Sequence, residues 1–332
     1  MADKKRELFD GFQRAISYLR ISITDQCNFR CSYCVGETNF PKLSTTELLS
    51  YEELYRIVAI AVQMGIRKVR LTGGEPLLRK GVIEFIRKIN AIPGLEDIRL
   101  TTNGLLLEEY AGQLVESGVR TFNISLDTLK KKRFKEITGF DGFDKVWAGI
   151  KKASVLSPTP VKLNMVVLNG INDDELLDFA GLSLAHPFQV RFIEYMPIGR
   201  GSDEPYSKIS NAEIMSRLEI LGTLTPVARG PVQGPARVYR YENAPGTIGF
   251  ISPISHKFCS SCNRLRLTAT GGLRSCLLVD VELNLKGIIR SGGSDEAIRE
   301  VFLQAIRNKP REHSLLDKGA GSCHGRMSRI GG

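Results

Sequence analysis

From about residue 18 to 196 the chain alternates short β-rich runs with amphipathic stretches, and this alternation restricts the fold more than any other feature. The runs are YLRISIT (18–24), KVRLTG (68–73), DIRLTTN (97–103), TFNISLD (121–127), VKLNMVV (161–167) and QVRFIEYM (189–196). Between them lie segments such as YEELYRIVAIAVQMG, apolar at helical spacing and stopped by Gly65. Ser50 with Glu53 has the form of a capping box, Ser210 with Glu213 repeats it, and Asn172 with Glu175 is a looser version. Repeated strand–helix units demand parallel strands joined by right-handed crossovers, in a doubly wound sheet or a full or partial barrel. The expected fold class is α/β, a partial (βα)6 TIM-type barrel. In such a sheet the loops at the carboxyl ends of the strands carry the chemistry.

After about residue 200 the rhythm breaks. RGSDEPYSKIS and TPVARGPVQGPARV read as loops, while VYRYENA and TIGFIS read as short strands. The expectation is a barrel domain over 1–200 and a smaller α+β domain over 201–332. The last residues, ending RMSRIGG, carry few apolar side chains.

Six of the seven cysteines fall into two tight groups: Cys27, Cys31 and Cys34, then Cys259, Cys262 and Cys276. Grouped thiols bind metal or react more often than they cross-link. The first group, C-x3-C-x2-C, directly follows the first strand. Three thiolates can hold three irons of a four-iron cluster and leave the fourth iron open to a small molecule. A structural zinc site usually has four ligands, and no fourth lies nearby. The second group, C-x2-C-x13-C, again supplies three, with His256 the only close candidate for a fourth and a loop histidine the better reading of it. Cys323 stands alone, a spare thiol. In Arg264-Leu265-Arg266 the two arginines share one strand face, and a planar guanidinium fork suits phosphate oxygens.

C-x3-C-x-Y-C together with Thr72-Gly73-Gly74-Glu75-Pro76 resembles the radical S-adenosylmethionine enzymes. The second cysteine group narrows the resemblance to the GTP 3',8-cyclases, which begin molybdenum-cofactor synthesis. Supporting matches are LRISITDQCNFRCSYC (19–34), LTTNG (100–104), NISLD (123–127), VKLN (161–164), RFIEYM (191–196), FCSSCNRLRLT (258–268) and the terminal Gly331-Gly332. The resemblance implies two [4Fe-4S] clusters, on Cys27, Cys31 and Cys34 and on Cys259, Cys262 and Cys276. It implies S-adenosylmethionine contacts at Tyr33, Gly74, Ser125 and Met196. It implies GTP contacts at Arg20, Arg70, Thr101, Lys162 and Arg264, Leu265 and Arg266, and a Gly331-Gly332 tail that enters the active site. Its further implications are an electron donor, a homodimer and hand-over of product to cyclic pyranopterin monophosphate synthase.

A formal net charge of +10 raises a polyanionic partner, either nucleic acid or a nucleotide triphosphate. A zinc-binding RNA protein would need aromatic stacking residues among its basic ones, and no compact motif of that kind is evident, so nucleic acid is not expected. The nearer rival is a peptide-modifying radical enzyme, which generally carries more carboxy-terminal cysteines. No apolar run approaches the roughly 20 residues of a membrane span, and MADKKRELFDGF lacks the apolar stretch of a secretion signal, so a cytoplasmic location is expected.

Overall fold

A computed structural model describes residues 7–34, 42–196, 198, 209–228, 234–313 and 327–330. All six expected strands form: β1 (Tyr18–Ser22), β2 (Lys68–Thr72), β3 (Asp97–Thr102), β4 (Val119–Ser125), β5 (Lys162–Val167) and β6 (Gln189–Glu194). They lie side by side in chain order and all pair in parallel. An order without reversal means the chain winds in one direction, which is the geometry of a partial barrel rather than of a doubly wound sheet.

The crossover helices are α1 (Tyr51–Met64), α2 (Val82–Asn90), α3 (Leu107–Ser117), α4 (Lys131–Thr138), α5 (Phe143–Leu156) and α6 (Leu176–Ala185). In α1, Leu54, Ile57, Val58, Ala61 and Val62 recur at helical spacing and are buried. The Ser50 capping box closes as expected, with Glu53 N–H donating to Ser50 Oγ and Ser50 N–H donating to the Glu53 carboxylate. Ser210 likewise accepts from Glu213 N–H and starts α7 (Asn211–Leu218). Asn172 does not cap. Its side chain instead accepts from Leu168 N–H and donates to the carbonyls of Asp127 and Val166, partners that leave nothing for a helix start.

The later strands are β7 (Leu224–Pro226), β8 (Arg237–Tyr241), β9 (Thr247–Ile251), β10 (Arg264–Leu267), β11 (Gly272–Arg274) and β12 (Leu283–Asn284). They continue the same sheet from both edges, in the order β12-β11-β10-β1-β2-β3-β4-β5-β6-β9-β8-β7. β9 pairs in parallel with β6, and β10 pairs in parallel with β1. Helices α8 (Leu285–Arg290) and α9 (Asp295–Arg307) follow, with Arg56 of α1 paired to Asp295. A short α10 (Met327–Ile330) ends the described chain.

Alternate residues of each strand face opposite sides. One side is apolar: Leu19, Ile21, Val69, Leu71, Ile98, Leu100, Phe122, Ile124, Leu163, Met165, Val190 and Phe192 lie in a single core. Leu265 belongs to this side, fully buried and paired in register with Leu19. Truncation there leaves a cavity, so Leu265→Ala is expected to cost about 2–5 kcal/mol in denaturant unfolding.

Candidate functional site

The other side of the sheet lines the bore of the partial barrel, and parallel pairing sets its residues in rows. One row runs Arg264, Tyr18, Lys68, Asp97 and the next runs Arg266, Arg20, Arg70, Arg99, Thr121. Nearer the carboxyl ends come Thr101, Asn123, Lys162, Gln189 and then Ser125, Asn164, Arg191. Of the expected GTP contacts, Arg20, Arg70, Thr101, Lys162, Arg264 and Arg266 therefore share this lining. Leu265 is the exception, because its side chain points into the apolar core behind the sheet.

Lys68, Arg99 and Arg191 also stand in the rows, although the sequence reading passed over them. A parallel strand covered on both faces should read as a continuous apolar run. The polar alternation in KVRLT, DIRLTT, KLNMVV and QVRFIE was the available signal. Asp97 neutralises the lower edge, accepting from Arg99 at 2.7 Å and lying 3.5 Å from Lys68. Among the described residues Arg191 is gripped by two neutral acceptors, Gln189 Oε1 and Asn123 Oδ1.

Burial, with Arg191, Arg99 and Arg70 nearby, pushes Lys162 down to about 6. Burial and the neighbouring arginines push Arg191 and Arg266 down to about 9, and lower Arg20 and Arg70 as well. A guanidinium stays charged at such values. The depressions reflect burial and the mutual repulsion of like charges. Among the described residues Arg70 Nε and Thr101 Oγ1 are buried and find no hydrogen-bond partner, a further mark of a surface built for a ligand.

The cysteine groups lie at opposite ends of this bore. Cys27 follows the carboxyl end of β1, whereas Cys262 precedes β10, which runs parallel to β1, and so sits at the amino end. Cys276 follows β11, which is antiparallel to β10, and joins Cys262 there. All six are thiols outside any disulfide and partly exposed. Within each group the sulfurs lie in one another's electrostatic field. Among the described residues no three His, Cys, Asp or Glu side chains converge as ligands of a single ion. A four-iron cube takes its thiolates at separate corners, and two open sets of three thiols suit it. Burial raises Cys27 and Cys31, whereas at Cys262 burial is outweighed by Arg264 and Lys309, which bring it down to about 6. His256 is exposed.

At the carboxyl mouth, Tyr33 donates from its hydroxyl to Asp127 at 2.7 Å, and Asp127 also accepts from Val166 N–H. Ser125 ends β4 beside Asn164. Met196 packs against Ile198 and Ile330, so α10 docks at this mouth, where Ala269 N–H donates to the Arg329 carbonyl. Gly331, Gly332 and Cys323 lie outside the described residues.

The resemblance places Gly74 beside S-adenosylmethionine. The close neighbour here is the protein itself: a Cβ on Gly74 would stand 2.2 Å from the Gln26 carbonyl oxygen, one residue before Cys27. Gly74 and Glu75 N–H donate to Thr24 and Gln26 carbonyls. Glu75, fully buried, accepts from Leu77 N–H, Thr102 Oγ1 and Asn103 N–H, and Asn103 Nδ2 points at Cys27 Sγ, 3.8 Å away. The glycine pair is thus a seat for the first cysteine loop.

A family model described as the radical SAM superfamily matches residues 21–182, and one described as Molybdenum Cofactor Synthesis C matches 188–315. The chain is 46% identical to the GTP 3',8-cyclase of Heliobacterium modesticaldum, over 98% of this chain and 100% of that one. It is also 46% identical to that of Moorella thermoacetica, over 97% and 99%. The solved structure of Streptococcus suis SuiB bound to S-adenosylmethionine shares the fold, with a TM-score of 0.62 at 15% identity over 87% of this chain and 68% of that one.

Because the Gln26 carbonyl cannot yield to a methyl group without moving Cys27, Gly74→Ala is expected to lose iron from the first set only. Anaerobic iron analysis of a chain whose second set is replaced by alanine checks this. The expected result is well below the parent's about four irons, with the folded state retained by circular dichroism.

Proposed function

The chain belongs to the GTP 3',8-cyclase family of the radical S-adenosylmethionine enzymes, and on that premise we propose how its residues divide the work. The activity is conversion of GTP to 3',8-cyclo-7,8-dihydro-GTP in molybdenum-cofactor synthesis, with two [4Fe-4S] clusters. Cys27, Cys31 and Cys34 hold the first cluster, and Cys259, Cys262 and Cys276 hold the second. With S-adenosylmethionine bound, the first cluster supplies a 5'-deoxyadenosyl radical. The hydrogen taken from C3' of GTP ends on 5'-deoxyadenosine, C3' joins C8, and one electron from the donor with one proton would complete the 7,8-dihydro product.

The observation that carries this assignment of roles is the cationic bore between two open cysteine sets. Arg20, Arg70, Lys162, Arg191, Arg264 and Arg266 clamp the triphosphate, Thr101 donates to it, and the second cysteine set serves the guanine end. Tyr33, held by Asp127, and Ser125, Gly74 and Met196 border S-adenosylmethionine at the mouth. Fixing both ends of GTP sets C3' beside the radical carbon, an orientation contribution that a reactive intermediate requires. We divide the chain near residue 200 into a barrel domain and a substrate-binding extension of its sheet. We also take the chain to act as a homodimer, supplied by an electron donor, whose product passes to cyclic pyranopterin monophosphate synthase. No helix among the described residues is long and apolar enough to cross a membrane.

Anaerobic incubation with GTP, S-adenosylmethionine and a strong reductant tests the activity. 5'-Deoxyadenosine and a cyclised nucleotide are the expected products, and formation of neither would overturn the reading.

Lys162 gives a proton-linked signature. With its value near 6 in the free protein, the amine is largely neutral at pH 8. A triphosphate favours the ammonium form, so binding takes up about one proton at pH 8. Affinity then tightens as pH falls from 8 towards 6, and the uptake disappears below 6, where the amine is already charged. Calorimetry of GTP binding in two buffers of different ionisation enthalpy should show the uptake, and Lys162→Met should abolish it.

The tail supplies the last test. Ile330 is buried against Ile198 beside Met196, so the chain is anchored at the mouth one residue before Gly331. Deleting Gly331 and Gly332 removes almost no apolar surface and should spare stability and iron content. Cyclisation should fall sharply while unproductive cleavage of S-adenosylmethionine continues. Wild-type cyclisation by the truncated chain would leave the tail without a role.

A further inference from the structure

Lys309 lies two residues beyond the end of α9 and is 3% exposed. Its ammonium donates to the Arg264 carbonyl at 2.8 Å and to the Ser275 carbonyl at 2.7 Å. Arg264 lies two residues after Cys262, and Ser275 immediately precedes Cys276. One side chain therefore ties together the two backbone segments that carry these cysteines, just beyond the last paired residues of β10 and β11, Arg266 and Arg274.

Among the described residues no carboxylate lies within ion-pair distance of this ammonium. Burial of a lone charge is costly unless something opposes it. The anions whose field Lys309 feels are the thiolates of Cys262 and Cys276. The third cysteine has its own brace. Arg14 donates to the Cys259 carbonyl at 2.8 Å and to the carbonyls of Arg311 and Pro310, just beyond Lys309. Arg14 differs in one respect, since Asp10 pairs with it at 2.5 Å and cancels its charge. Among the described residues Lys309, unlike Arg14, has no carboxylate partner, and it adds its charge to that of Arg264 beside Cys262.

We propose that Lys309 is a positioning residue for the second cluster, holding the Cys262 and Cys276 segments together and supplying the fixed positive charge that offsets the cluster's thiolates. This rests on the reading that the second cysteine set holds an iron–sulfur cluster. Two consequences separate the roles. The hydrogen bonds slow iron loss, since outer-shell partners of metal ligands are typically worth about 10–100-fold in metal affinity. The charge raises the reduction potential, because a nearby cation stabilises the state holding one more electron.

The experiment uses the full chain with Cys27, Cys31 and Cys34 replaced by alanine, so that only the second set can hold iron. Parent, Lys309→Met, Lys309→Gln and Lys309→Arg are reconstituted anaerobically. Iron transfer to a chelator and the midpoint potential, followed by electron paramagnetic resonance, are then measured. Lys309→Met, with neither donor nor charge, should release iron about tenfold faster or more. Lys309→Gln can still donate to a carbonyl but is neutral, and its midpoint should move to a more negative value. Lys309→Arg keeps the charge and should restore the parent's midpoint. Should Lys309→Met be too unstable to purify, the Gln and Arg pair still decides the matter. Equal midpoints in both, at the parent's value, would overturn the electrostatic role, and an unchanged release rate in Lys309→Gln and Lys309→Met would overturn the positioning role. A parent that holds no iron at this set would overturn the cluster reading itself, and with it the role of Lys309.

Discussion

Parallel register is the constraint on which everything else depends, because it sets like charges side by side on one enclosed wall. Arg266, Arg20, Arg70 and Arg99 are consecutive neighbours in one row. Such a row is unfavourable in itself. It is tolerated because the opposite face of the same strands buries an unbroken apolar core, and because Asp97 pairs with Arg99 at the end of the row. Arg191, between Gln189 and Asn123, is oriented without being neutralised. The bore thus keeps a charge that a carboxylate partner would have cancelled, and in a low-dielectric enclosure that charge acts on a polyanion more strongly than it would in water.

Carboxylates are not missing from this end of the molecule; they are segregated to its rim. Glu75 after β2 accepts from the loop after β3, Asp127 after β4 accepts from Tyr33 and from β5, and Glu194 at the end of β6 accepts from Asn211, Ile254 and Ser255. Each joins one carboxyl-end loop to another segment through donors that keep it from reaching into the bore. Burial drives Glu75 to about 7 and Asp127 to about 6, so these groups carry less than full negative charge near neutrality. The arrangement stiffens the mouth without weakening the cationic wall below it.

Local features were legible in the sequence, and long-range ones were not. Six strands, the helices between them, two of three proposed caps and the grouping of six cysteines all follow from periodicity, turn residues and spacing. Asn172 failed as a cap because its amide is used by Asp127 and Val166, residues near in space whose demand no local pattern reveals. Leu265 was drawn into the substrate set as part of a motif, although strand alternation alone separates it from Arg264 and Arg266. The approach of Gly74 to the Gln26 carbonyl is a contact between two loops that one sequence does not display. Arg191, Lys68 and Arg99 were passed over because membership of the bore depends on register between strands, which one sequence does not display.

The recruitment of β10 onto β1 sets the distance between the two cysteine groups. The five residues of β1 span about 13 Å between its ends, and the two sets lie beyond opposite ends of that span because β10 runs parallel to it. An antiparallel β10 would carry Cys262 to the same end as Cys27, and a β10 in a detached domain would leave the separation undefined. The spacing between the two sets is therefore a property of strand pairing. The loops carrying the cysteines adjust that distance only by their own length. Through Arg14 and Lys309 the chain before β1 and the chain after α9 grip the β10 end, so the amino and carboxyl portions of the protein jointly hold the one dimension that the chemistry cannot vary.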